Sequence, residues 1–358
     1  MHCSDIRGDA LFVLKMGVKM KKRDSRFEII RILSMIFIVA YHYTMYGGWT
    51  IYNSVKIQFF RPWGQVGVAL FVLITGYFLG GKETNFIKAW QRVDKLWIKT
   101  LVYSWIILIC SLIFHFGTFD KHDFLYALFP VIFDEYWFIT SYIVLILLTP
   151  ILNMVIRKFD KRNLLILLGI IIVFANIMPF IKNDGTPNAP LGNMFSVGAM
   201  LAPYLIGAFI HRYEFKLKMW QAWAVTLLGM ILEYISLIVL KHGIMKLDMA
   251  EFTFGLLPLI TAVGIFFVFL NLPSFHSKVI NWIASGVLAS YLITEHPLFR
   301  MYFWQKMLHV AQFQTSFWKF VLMGIVIAFV TVIVCSLVDK VYEEVKMNMI
   351  IFRTSRKR

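Results

Sequence analysis

Charge is what this sequence has least of. Only 16% of its 358 residues are Asp, Glu, Lys or Arg, where a soluble surface needs about a quarter. That excludes a soluble globular protein. Cysteine is scarce as well: Cys3, Cys110 and Cys335 stand far apart, with no CxxC and no His/Cys ligand spacing. Neither a disulfide framework nor a zinc site is encoded, and no catalytic metal is suggested. Low-complexity tracts and evident internal repeats are missing too. This weakens a transporter reading without removing it, since inverted repeats are often visible only in structure.

What fills the chain is apolar. Hydrophobic residues make up 59% and aromatics 17%, gathered in runs of about 20, the length of helix that crosses ~30 Å of hydrocarbon. The fold class that follows is an all-α polytopic membrane protein, a bundle of about ten transmembrane helices. The windows run over 27–46, 64–80, 96–116, 136–156, 163–181, 194–212, 219–240, 252–270, 278–296 and 317–339. Thr149-Pro150 predicts a kink in the fourth. Residues 121–133 are apolar but too short to cross, and are expected to form an interfacial or re-entrant helix. The organisation expected is a basic cytoplasmic leader (1–26), a transmembrane domain (27–340) and a basic cytoplasmic tail (341–358). The leader's apolar stretch, Ala10 to Leu14, is too short for a secretory signal, and Met16 or Met20 could each begin a shorter leader.

The 36 Lys and Arg outnumber the 20 Asp and Glu, for a net charge of +16, and a basic total invites either nucleic acid or an anionic surface. Position decides between them. Arg7, Lys15, Lys19, Lys21, Lys22, Arg23 and Arg26 precede the first span, the next loop has only Lys56 and Arg61, and the third has Lys82, Lys88, Arg92, Lys95 and Lys99. Loop 157–162 is again basic, while loop 182–193 has only Lys182. This alternation makes both termini cytoplasmic. The basic excess thus faces anionic membrane lipids, and no nucleic-acid partner is expected. The near-neutral, aromatic outer face suits an uncharged or mildly charged sugar.

Ionisable groups within spans are functional candidates by default. Arg31 and His42, 11 residues apart in the first span, differ by only about 20° and share one helix face. Arg31 lies about 6 Å into the span and His42 about 16 Å further out. One reading has Arg31 pairing with Glu28 and His42 joining Tyr41, Tyr43 and Tyr46 in an aromatic belt. The other makes His42 a general base on a hydroxyl, imidazole being the side chain that titrates near neutrality. Glu233, about 21 Å into the seventh span, falls at the depth of His42. Glu135, Trp137, Asn176, Glu295 and His296 share that layer. At the cytoplasmic edge, Lys88, Arg92, Lys95 and Lys99 stand where basic groups at a helix start can hold phosphates.

These residues resemble the membrane-bound acyltransferase 3 family, which acylates cell-surface sugars and other external acceptors. Its first helix is matched by Glu28-x-x-Arg31 and Arg31-x10-His42. Its second is matched by Gly64-Gln65-Val66-Gly67-Val68-Ala69-Leu70-Phe71 followed by Thr75-Gly76-Tyr77-Phe78. Arg92-x-x-Lys95 resembles an Arg-x-x-Arg pair. Tyr136-Trp137-Phe138 to Thr149-Pro150, and Ser290-Tyr291-Leu292-Ile293-x-x-His296-Pro297-Leu298, resemble two further signatures. Together the resemblance covers about 24–345. It departs at Thr75, usually Ser; at Lys95, which lacks planar bidentate phosphate geometry; and at Ala69, where many members carry an acid.

The resemblance implies a stand-alone transferase of the bacterial cell membrane. No cofactor would be held permanently, and cytosolic acetyl-CoA or another acyl-CoA would be the donor. Carried over, His42 is the catalytic residue, Arg31 is essential, and Arg92 and Lys95 contact the donor; Lys88, one turn before Arg92, joins them by position. Glu233 or Glu135 would orient His42 or bind the sugar, and Trp137, Glu295 and His296 would complete the acceptor side. The implied function is an O-acyltransferase acting on an extracytoplasmic polysaccharide or glycolipid. A transporter or flippase of a lipid-linked sugar is the alternative, and would bind no CoA. The sequence names neither the acceptor nor the oligomeric state.

Overall fold

The computed structural model describes residues 23–51, 54–117, 120–178, 192–242 and 255–355, and every regular element among them is helical. In chain order these are α1 (Ser25–Tyr46), α2 (Arg61–Leu79), α3 (Phe86–Phe114), α4 (Lys121–Leu128), α5 (Trp137–Lys158) and α6 (Lys161–Ile172). A π-helical turn, Val173–Ile177, continues α6. Then come α7 (Gly192–Tyr213), α8 (Met219–His242), α9 (Leu257–Asn271), α10 (Lys278–Ala284), α11 (Leu288–Thr294), α12 (Pro297–Met301) and α13 (Phe317–Ser355). Residues 1–22 of the predicted leader, 182–191 of the loop after the fifth predicted span and 252–254 of the eighth span lie outside the described residues.

Six helices are long and apolar enough to cross a membrane: Ser25–Tyr46, Ile57–Leu79, Phe86–Phe114, Trp137–Lys158, Met219–Val239 and Phe317–Asn348. The chain is therefore a multi-pass membrane protein. The eighth predicted span holds a helix of 15 residues, and the ninth, drawn from the sequence as one helix, is two of 7 residues each. Hydropathy averages over the Ser285-Gly286-Val287 turn that separates α10 from α11. Segment 121–133 contains the 8-residue α4, which starts on a reciprocal capping box between Asp120 and Asp123. α13 runs on past residue 339 to Ser355.

Local chemistry explains where the helices begin and how one survives a proline. Asp24 caps α1 by accepting the Arg26 N–H, and the Arg26 guanidinium donates to Leu270 O and Leu272 O, carbonyls at the end of α9. Pro150 lies inside α5, where its missing N–H leaves the Ile146 carbonyl free. Thr149 Oγ1 donates to that carbonyl at 2.7 Å. The carbonyl that Pro150 frees is thus satisfied from within the helix.

α1 is the hub, packed against α2, α9, α10, α11 and α13. Between helices in lipid, the gain comes from van der Waals packing and close backbone approach rather than from escape from water. The sequence supplies that approach with glycine. A Cβ on Gly76 would lie 2.0 Å from Tyr204 O, and one on Gly207 2.1 Å from Leu73 O, so α2 and α7 cross as closely as they do only because both are glycine.

Candidate active site

His42 lies one turn before the end of α1, 2% exposed. It meets the break between α11 and α12. Pro297 cannot extend α11 and pushes the preceding residue to extended backbone, and His296 accordingly has φ −58° and ψ 123°. The break directs Glu295 onto the imidazole: His42 Nε2 is 3.0 Å from Glu295 Oε2. Oε2 has no other partner among the described residues. The other carboxylate oxygen accepts Tyr46 O–H at 2.8 Å, with Arg300 Nη1 3.6 Å away. The Arg300 guanidinium also lies 4.9 Å above the Tyr46 ring. His42 Nδ1 is 3.4 Å from Thr294 Oγ1, whose own proton goes to Ser290 O at 2.7 Å.

A carboxylate opposite Nε2 favours the tautomer with its proton there and leaves the lone pair on Nδ1. Thr294 does not quench that lone pair, because its proton is committed elsewhere. The arrangement can therefore accept a proton at Nδ1 and stabilise the resulting imidazolium through Glu295. Beside it is a cavity of about 360 Å³. His42, Tyr41, Gln65 and Asn176 line it together with Trp137, Phe138, Tyr291 and Met200.

The structure treats the remaining outer-layer candidates differently. Trp137 lines the cavity. His296 does not: its Nδ1 accepts the Leu298 N–H, so its proton sits on Nε2 and is donated to Ser104 Oγ at 3.1 Å. Ser104 in turn donates to Ala127 O. With both nitrogens committed, His296 fastens the helix break to α3. Glu135, half-buried ahead of α5, has its carboxyl pushed above the ordinary range by burial, opposed by the charge of Arg300. Glu233 is buried on α8 and accepts Thr261 O–H at 2.9 Å. Among the described residues, the carboxylate within ion-pair distance of His42 is Glu295. The sequence had offered Glu233 or Glu135 for that contact. Hydropathy marks a mid-span acid but cannot see which acid a helix break turns inward.

At the other end of α1, Arg31 Nη1 is 2.7 Å from Glu28 Oε1, an i, i+3 pair with the Glu28 carboxylate buried and the Arg31 side chain one-third exposed. Arg31 and His42 lie on one unbroken helix, about 16 Å apart along its axis. α3 starts on the Asn85 cap and carries Lys88, Arg92, Lys95 and Lys99 along one face. Lys99 is bound to Asp339 at 2.5 Å. Lys88, Arg92 and Lys95 are exposed and form no ion pair among the described residues. Behind them Thr75 Oγ1 lies 3.0 Å from Tyr142 OH, and Tyr204 O–H donates to Asn153.

A family model for an acyltransferase domain, acyltransferase 3, matches residues 24–340, nearly the whole chain. The chain belongs to the acyltransferase 3 family. No curated protein and no solved structure gives a match. This acyltransferase 3 protein is thus a membrane acyltransferase, and the matched region holds both ends of α1, the cavity and the break at Glu295. Sequence reasoning passed over Arg61, a cation only 4% exposed whose guanidinium lies 5.9 Å from the Tyr41 ring and donates to Met45 Sδ. Arg61 has no carboxylate partner among the described residues, and its Nε is unsatisfied. The signal available was its place one turn ahead of Gly64 and Gln65, which line the cavity. Of the groups that hold Glu295, Tyr46 was read only as part of an aromatic belt and Arg300 carried no signal.

Proposed function

We propose that this protein is an O-acyltransferase, moving an acetyl group from cytosolic acyl-CoA to a hydroxyl of an extracytoplasmic cell-surface polysaccharide or glycolipid. The observation that carries the reading is the buried His42–Glu295 contact on the edge of a cavity, in a chain of the acyltransferase 3 family. With both termini cytoplasmic, the Arg31 end of α1 faces the donor and the His42 end the acceptor. Arg92, Lys95 and Lys88 meet the donor's phosphates as exposed cations with no competing carboxylate, while Arg31 stands between them and the interior.

In the reaction, His42 Nδ1 takes the proton of the acceptor hydroxyl as its oxygen attacks the thioester carbonyl. The tetrahedral adduct collapses to the ester, and the departing sulfur takes the proton back from His42. Between those events His42 is cationic, and its 3.0 Å contact with Glu295 becomes a charge-assisted hydrogen bond. Glu295 thus binds the transition state better than the resting enzyme, which is what lowers a barrier. Tyr46 and Arg300 keep the carboxylate turned toward the ring.

The test compares surface-polymer O-acetylation by NMR in cells carrying the wild type, no protein or His42→Ala. The expected result is acetylation with the wild type alone and normal membrane insertion of the variant. Identical spectra in all three remove polysaccharide acylation as the function.

A further inference from the structure

Asn176 lines the same cavity as His42. It is 7% exposed, and its Oδ1 has no hydrogen-bond partner among the described residues. Buried side-chain amides are nearly always paired, because leaving one unpaired forfeits its hydration for nothing. Its backbone is unusual too. α6 is regular through Ile172, then widens into the π-helical turn Val173–Ile177 that carries Asn176. Such turns give up regular bonding to re-aim a side chain, and they gather at functional sites. Phe138, Met200 and Leu259 are among the apolar walls of the cavity that this amide lines.

We propose that Asn176 is the acceptor-recognition residue of the cavity. Its Oδ1 accepts from one sugar hydroxyl and its Nδ2 donates to an adjacent oxygen, fixing which hydroxyl reaches His42. An amide offers one donor and one acceptor on adjacent atoms, the complement of a neutral vicinal diol. The inference rests on the acyl-transfer reading for its chemistry, though the binding it predicts can be measured without turnover.

The experiment uses the full chain purified in detergent, with the methyl glycosides of glucose, galactose, rhamnose and N-acetylglucosamine as probes and labelled acetyl-CoA as donor. Asn176→Leu removes the amide at similar volume, and Asn176→Ser repeats the test if the leucine variant fails to fold. The expected result is an unliganded Tm no lower than wild type, since a buried unpaired amide has been removed. The glycosides that stabilise the wild type should bind the variant about tenfold more weakly, the worth of one neutral hydrogen bond. In turnover that loss should fall on the acceptor KM, with kcat within about twofold. Equal glycoside affinities in wild type and variant, or no glycoside binding to either, overturns the inference. Glycoside binding that weakens in the variant, with no label transferred by the wild type, supports the role of Asn176 and removes the acyl-transfer reading instead.

Discussion

At one end of α1 the charged groups are sealed in: His42 and Glu295 are 2% and 6% exposed and touch across a helix break. At the start of α3, Lys88, Arg92 and Lys95 are exposed and hold no ion pair among the described residues. The two settings suit different tasks. A buried, pre-arranged pair needs no reorganisation when charge develops beside it and acts at its strongest out of water. Exposed, flexible cations are poor at stabilising a transient charge but well suited to gathering a multiply charged phosphate from solvent. Chemistry around His42 on α1 and capture at the start of α3 is therefore the division expected.

The largest effect should come from removing the base. His42→Ala is expected to lower acetyl transfer by about a thousandfold or more, within the range general-base catalysis supplies, and to leave acyl-CoA binding unchanged. Glu295→Gln tests the other half of the pair. It keeps the volume and the Tyr46 bond but removes the charge that meets the imidazolium, so kcat should fall about a hundredfold with donor KM unmoved. Wild-type kcat in Glu295→Gln would mean that the buried end is sealed for stability alone.

How much of this pair was legible follows from where its members lie. Arg31 and His42 share a helix, so a periodicity of 3.6 residues was enough to put them on one face and in opposite halves. Glu295 lies near the other end of the chain, and its approach depends on the Pro297 break, which a hydropathy window covers without registering. The same averaging fused α10 and α11 into one span. At Pro150 the sequence predicts a kink, and the structure adds that Thr149 supplies a donor to the carbonyl the proline leaves free. The close approach of Gly76 to α7 and of Gly207 to α2 is a fact of assembly that the sequence does not show. Arg61 was visible only as a loop cation.

The exposed end should yield smaller, salt-sensitive effects. Arg92→Ala and Lys95→Ala are each expected to raise the acyl-CoA KM about fivefold, close to 1 kcal/mol for a solvated phosphate contact, with kcat retained. The penalty should shrink as ionic strength rises, since such contacts are screened within about 10 Å at 0.1 M salt. Lys95→Arg sharpens the comparison further. A guanidinium restores bidentate geometry, so donor KM should fall below the wild-type value. A kcat effect from either alanine variant would place these cations in the chemistry and erase the division.

The smallest effect is expected at Glu233, and its smallness is the point. This carboxylate is as buried as His42 and sits at similar depth, so depth and charge alone would make it catalytic. Among the described residues it accepts a hydrogen bond from Thr261, and it is not among the residues lining the cavity. In Glu233→Gln the amide oxygen can still accept from Thr261, and a neutral group is easier to bury than an ion. Transfer should therefore stay within about twofold of wild type, with thermal stability equal or higher. Loss of transfer in a folded Glu233→Gln protein would show that catalytic charge extends into α8 and α9. The buried end would then be a network reaching well beyond α1, and Glu295 would be one of two carboxylates on which His42 depends.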